Sequence, residues 1–220
     1  MNNKQITIDY FSDILCVWAW ISQRRIDELN QHFKEKIHIR YQFIDIFGDV
    51  RSRIEKQWAE KGSYAGFGDH VIQSASPYDS APINENIWHH TQPSTSANAH
   101  LAIKAIELTH GQALATDFIT ALRCAFFQDA KDISNLDFIY TIADDNGFNI
   151  QELRHSIACG EAMAALMCDY QNAKEYGIKG SPCFVMNEGR QILFGNVGYR
   201  VLQTNIDELL HQSSSEASWC

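Results

Sequence analysis

The sequence predicts an α/β fold in which a β-α-β unit and a β-β-α unit flank a large, mainly helical insertion. Three observations carry that expectation. Near the start, an alternating apolar segment, an amphipathic stretch and a second alternating segment follow one another. Residues 98–176 then keep an apolar period close to that of an α-helix. Finally, "CFVMNEGRQILFG" reads as a hairpin with Glu188-Gly189 at its turn, and "NVGYRVLQTNIDELLHQ" reads as a closing helix.

The elements follow in order. Ile6, Ile8 and Tyr10 share one face of a period-two segment, with Thr7 and Asp9 on the other. A helix is predicted from Val17 to Lys34, with Ile26, Leu29 and Phe33 on one stripe. Ile37, Ile39, Tyr41 and Phe43 alternate again, so the first two strands should pair in parallel across a helical crossover. Residues 48–97 hold Pro77, Pro82 and Pro93 and read as a short helix near Arg51–Lys61 followed by a long irregular connection. The helical block opens at Ser94 or Ser96, with Ala99, Ala102, Ile103 and Ile106 inward, and continues through Leu114, Phe118, Ala121, Leu122 and Ala125. Ser134 with Asp137, and Asn149 with Glu152, have the spacing of helix N-terminal caps. Met163, Leu166, Met167 and Tyr170 should line the last helix of the block, which Gly177 closes. In the final helix, Leu202, Ile206 and Leu209 should face inward.

A β-α-β … β-β-α order is that of a thioredoxin fold. Residues 1–47 and 178–212 are expected to form it, 48–177 to form the inserted helical domain, and 213–220 to be a disordered tail.

The formal net charge of −9 and the lack of a basic run argue against nucleic acid and against an anionic membrane surface as partners. No apolar run approaches the length of a membrane span, and the N-terminus lacks the apolar core of a signal peptide. A cytoplasmic location is expected, with the six cysteines mostly reduced and none at zinc-site spacing.

Cys16 stands between the first apolar segment and the first helix, and the fourth position of its tetrad is Ala19. A helix N-terminus offers unpaired N–H groups and partial positive charge, which favour a thiolate. Cys16 is therefore the candidate nucleophile, expected to be the most acid-shifted thiol of the chain; the alternative is a buried cysteine that ends a strand. Cys124, Cys159 and Cys168 read as core, and Cys220 as a source of adventitious disulfides. Trp18, Trp20 and Tyr10 are candidates for an apolar wall beside Cys16, with Trp20 better placed as plain core. His89-His90 lack the helical spacing of metal ligands, and His100 reads as structural. No metal is expected.

The stretch Asp13-Ile14-Leu15-Cys16-Val17-Trp18-Ala19 followed by Arg24-Arg25, the segment Gly180-Ser181-Pro182, and "FFQDAKDISN" and "ANAHLA" between them resemble the DsbA-like thioredoxin-fold family, most closely its cytosolic FrnE-type branch. That family's first motif is Asp-x-x-Cys-Pro-Trp-Cys; here Val17 replaces the proline and Ala19 the second cysteine. The architecture is similar to that of kappa-class glutathione transferases and 2-hydroxychromene-2-carboxylate isomerases, which usually carry serine at the position of Cys16. The stretch "ILFGNVGYRVL" resembles their glutathione-loop region, which makes Asn196 a candidate glutathione contact.

The resemblance implies a thiol–disulfide oxidoreductase with a single active-site cysteine. Cys16 would be catalytic, and Trp18, Ser181 and Pro182 would bind substrate, with the Ser181–Pro182 bond cis and facing Cys16. Without a second thiol on the helix, attack on a disulfide stops at a mixed disulfide until another thiol resolves it. That thiol is glutathione as cosubstrate or Cys183, which otherwise reads as a small buried strand residue. No tightly bound cofactor is expected. The partners would be a thiol or disulfide substrate or a small organic molecule, and the protein a monomer or homodimer. The alternatives are a glutathione-dependent transferase or isomerase, and a non-catalytic peptide-binding or chaperone-like module.

Overall fold

The computed structural model describes residues 5–211, so the predicted tail and Cys220 lie outside the described residues. Strand β1 (Ile6–Ser12) is central. It pairs in parallel with β2 (Ile37–Phe43) and antiparallel with β3 (Cys183–Met186), which pairs antiparallel with β4 (Gln191–Phe194), giving the order β2-β1-β3-β4. Helix α1 (Val17–Phe33) supplies the crossover between β1 and β2. The chain then runs through α2 (Val50–Gln57), α3 (Ser63–Ala75), α4 (Ala97–His110), α5 (Gln112–Arg123), α6 (Leu136–Asp145), α7 (Ile150–Ala158) and α8 (Glu161–Glu175), and ends in α9 (Tyr199–His211) after the hairpin. This is the α/β thioredoxin arrangement with a mainly helical insertion.

The sheet has two unequal faces. Ile6, Ile8, Tyr10, Ile37, Ile39, Tyr41 and Phe184 join the main core. Tyr10 sits against Tyr41 and Phe184, with ring centroids 5.3 and 4.9 Å apart. The other face carries a smaller cluster of Phe11, Ile44, Ala173, Cys183 and Val185. Strand alternation produces this division. Asp9, on the face opposite Ile6, Ile8 and Tyr10, is buried, and Arg40 and Gln42 on β2 both donate to its carboxylate. Buried polar groups persist where they are paired, and Asp9 is.

Several local expectations are corrected. Residues 63–75 form a regular helix where an irregular connection was expected, because Phe67, Val71 and Ala75 make a buried stripe at four-residue spacing. The helical block is broken by one π-helical turn at Cys124–Gln128 and by the non-helical stretch before Asn135. Asn135, not Ser134, caps α6, accepting from the N–H groups of Asp137 and Phe138. Asn149 caps α7, as the sequence predicts, accepting from Gln151 and Glu152. Leu114, Met163 and Met167 are exposed, since Ala115, Ala162 and Leu166 occupy the inward positions of their helices. Cys159 and Cys168 are exposed and Cys124 is half-buried, so the helical cysteines are not core residues. No described helix is long and apolar enough to cross a membrane.

Candidate active site

The carboxyl end of β1 leads into a turn that is fixed by its own polar groups. Asp13 is fully buried, and its carboxylate accepts from the N–H groups of Leu15, Ile46 and Phe47 and from the Ser96 hydroxyl. One side chain thus ties the β1–α1 turn to the end of β2 and to the start of α4. Ser96 precedes α4 but does not cap it; its hydroxyl is spent on Asp13. Burial pushes the Asp13 carboxyl above the usual range, against the lowering effect of these donors.

His100 holds the same turn from the insertion. It is buried, stacks on Phe43 at 4.2 Å, and its Nε2 accepts the Ile14 N–H at 3.1 Å. An accepting Nε2 carries no proton, so Nδ1 holds the hydrogen and faces the Tyr170 hydroxyl at 3.4 Å. Burial lowers its pKa to about 3, which keeps the ring neutral. His100 is therefore placed as a structural clamp.

Cys16 caps α1 in an extended conformation, and its carbonyl accepts from the N–H groups of Ala19 and Trp20. Its thiol donates to the Ser181 carbonyl at 3.3 Å. The Ser181–Pro182 bond is cis, and the Ser181 hydroxyl accepts the Asp13 N–H at 3.0 Å. The two segments quoted for the resemblance therefore meet, although they lie at opposite ends of the sequence. The expectation of an acid-shifted thiol is corrected. Burial raises the Cys16 pKa; the Ser181 side chain and the Ala19 and Trp18 N–H groups pull it down, and nearby Asp13 pushes it up again. A thiol only 7% exposed loses more from desolvation than a helix terminus returns.

A cleft of about 350 Å³ opens from Cys16. Trp18 and Ser181 line it, as do Phe47 from the loop after β2, Arg53 and Gln57 from α2, Trp58, Phe67 and His70 next to or on α3, and Lys179, Gly180 and Phe194 from the cis-proline loop and β4. A Cβ on Gly180 would lie 2.6 Å from the exposed Phe194 ring, so a larger residue there would displace that ring from the cleft. Tyr10 and Trp20, considered as walls, lie elsewhere. Tyr10 is under the sheet, and Trp20 stacks on Phe127 at 5.7 Å and donates to the Pro82 carbonyl. Sequence reasoning missed Arg53, Trp58, Phe67, His70 and Lys179. The available signal was the Phe67–Val71–Ala75 stripe, which the glycines at 62, 66 and 68 obscured.

Cys183 is not beside Cys16. It pairs with Phe11 in register while Phe184 pairs with Tyr10, so its side chain lies on the opposite sheet face, in the small cluster. Burial pushes its pKa up to about 11. Asn196 is also engaged: its amide oxygen accepts from Arg25 and its nitrogen donates to the Tyr78 hydroxyl. His89 faces Asp69 at 3.3 Å, and no group of three or more metal-ligating side chains exists among the described residues.

This geometry defines a class: a thioredoxin-fold protein whose cysteine at the N-terminus of α1 turns its thiol to a cis-proline loop. The chain belongs to the thioredoxin family, whose family model matches residues 10–198. A curated relative, the ClpXP adapter protein SpxH of Halalkalibacterium halodurans, is 24% identical over 218 residues, covering 94% of this chain and 68% of that protein. Solved structures with the same fold are DsbA-like. The cytosolic disulfide reductase DsbM from Pseudomonas aeruginosa matches with a TM-score of 0.68, 16% identity and coverage of 92% and 99% of the two chains, and it has also been solved with GSH. A 2-hydroxychromene-2-carboxylate isomerase matches with a TM-score of 0.65, 16% identity and coverage of 92% and 95%.

Proposed function

We propose that this chain is a cytoplasmic, FrnE-like thiol–disulfide exchange enzyme that works with Cys16 alone and takes glutathione or a similar small thiol as cosubstrate. The observation that carries the reading is the Cys16–Ser181 contact at the mouth of a cleft that no other cysteine lines. In the resting state Cys16 keeps its proton and donates it in a hydrogen bond to the Ser181 carbonyl; the proton passes to solvent when the thiolate forms. A disulfide entering the cleft is attacked by the Cys16 thiolate. The substrate S–S bond breaks, a Cys16–substrate disulfide forms, and the other half leaves as thiolate. A small thiolate then attacks the substrate sulfur of that adduct, and Cys16 leaves as thiolate. Pro182, lacking an N–H, puts no donor in this path.

The test is a disulfide-exchange assay with and without glutathione. Wild type should turn over only with glutathione, and Cys16→Ser should lose the activity. Reduced Ala19→Cys should complete one substrate reduction without added glutathione, its two thiols closing to a disulfide as the substrate thiols leave, because the first and fourth positions of the tetrad share a helix face. Cys183→Ser should behave as wild type. Glutathione-independent turnover by wild type would defeat the single-thiol reading. The raised Cys16 pKa sets the pH dependence. Its thiolate fraction should still be growing at pH 9, so the rate of Cys16 alkylation should climb through that pH. A plateau near neutrality would contradict the burial argument.

A second reading is a peptide-binding adapter that keeps the groove and does no chemistry. The curated relative's description as a ClpXP adapter and the protonated resting thiol favour it. Under that reading Cys16→Ser would retain partner binding, and neither protein would show exchange.

A further inference from the structure

The cleft beside Cys16 has an electrostatic character opposite to that of the chain. The sequence carries a net charge of −9, yet the cleft is lined by Arg53, Lys179 and His70 with no aspartate or glutamate among its lining residues. Arg53 is the distinctive member. Arg24, Arg40, Arg51, Arg154 and Arg190 each lie against a carboxylate, and Arg25 and Arg123, which do not, donate instead to Asn196 and to Gln23 and Ser12. The Arg53 side chain has neither an ion pair nor a hydrogen bond with a described residue, and its Nε is buried without a partner. Its guanidinium instead lies over the Phe47 ring, 4.8 Å from the centroid. Asp13 and Cys16 act on this half-buried cation only from beyond ion-pair distance, so its donors are left for a ligand, and a guanidinium suits a carboxylate in particular. Phe47, Trp58, Phe67 and Trp18 give the remainder of the cleft an aromatic wall.

We infer that Arg53 is the anion-selecting residue of this cleft, and that the disulfide substrates it accepts at Cys16 are small carboxylate-bearing ones with an apolar or aromatic body. This rests on the exchange reading for the reaction, but the binding part stands apart from it. In the reactive case the Cys16 thiolate attacks one sulfur of an aromatic disulfide. The S–S bond breaks, a Cys16–S–S–aryl bond forms, and the aryl thiolate leaves with the electron pair while the Cys16 proton goes to solvent. The carboxylate on the ring is held by Arg53 throughout.

The test compares dithiobis-nitrobenzoate, which carries carboxylates, with neutral dithiodipyridine, reading the rate of Cys16 modification by peptide mapping. The ratio of anionic to neutral rates should fall roughly tenfold in Arg53→Met, recover in part in Arg53→Lys, and shrink with added salt in wild type. The second arm titrates the unreactive S-methyl ether of nitrothiobenzoate into Cys16→Ser, with and without Arg53→Met. Binding should be present in the first and lost in the second. Equal rate ratios and equal binding with and without Arg53 would overturn the inference. If dithiodipyridine fails to label Cys16, the exchange reading falls, and the thioether titration still decides whether Arg53 holds an anion.

Discussion

Replacing Lys104 with methionine should lower the unfolding free energy at pH 8 by about 3–5 kcal/mol, because it leaves a buried carboxylate without its cation. Lys104 on α4 lies 2.8 Å from Asp169 on α8 and 2.8 Å from Glu107. The Lys104 and Asp169 side chains are only 6% and 8% exposed, and Asp169 also accepts the N–H of Phe43 at the end of β2. The pair thus fastens two insertion helices to the sheet. Burial by itself would lower the Lys104 pKa, but Asp169 and Glu107 hold it above the ordinary lysine value. Burial pushes Asp169 up to about 6 despite Lys104. The sign follows from that rise. The folded state favours protonated Asp169, a contribution present below about pH 4 and lost as pH rises through about 6. Without Lys104 the carboxyl should titrate still higher. The difference between variant and wild type should therefore be small at pH 5 and grow toward pH 8. Urea unfolding at both pH values reads it, and a pH-independent difference would show that the lysine acts by packing alone.

Trp88→Ala should cost about 3–5 kcal/mol, the range for deleting a large aromatic from a core. Trp88 is fully buried, with its ring 5.6 Å from Phe47, 4.9 Å from Phe67 and 5.5 Å from Phe126. Phe47 and Phe67 are cleft walls, so this side chain supports the site from behind. The variant should bind aromatic probes in the cleft more weakly, while Trp88→Phe should keep most of both properties. Denaturant unfolding and probe titration on the same samples check it. An intact cleft in a destabilised Trp88→Ala protein would separate the aromatic core from the site.

The chemistry-bearing parts of the site were legible because they sit where one-dimensional signals are strong. Cys16 marks a change of period from strand to helix, and Pro182 opens the hairpin. The cleft's other wall was not legible. Arg53 and Trp58 belong to the short helix the sequence predicts and its end, but Phe67 and His70 lie in a glycine-rich stretch whose helix α3 packs its buried stripe onto the core. Gly68 illustrates the point: a side chain there would press on His89 at 2.7 Å, so a residue unfavourable to helices is kept for close packing.

The β-α-β and β-β-α units, the tetrad with a single cysteine, and the helix-start position of Cys16 were determined by sequence alone, because period and punctuation are local properties. Three matters were decided only by tertiary structure. Cys183 lies across the sheet from Cys16, since register fixes its face. The Cys16 thiol is raised and not acid-shifted, since burial outweighs the helix terminus. Arg53 stands without an ion pair to a described residue in a cleft of an acidic protein, since charge pairing depends on which residues folding brings within reach.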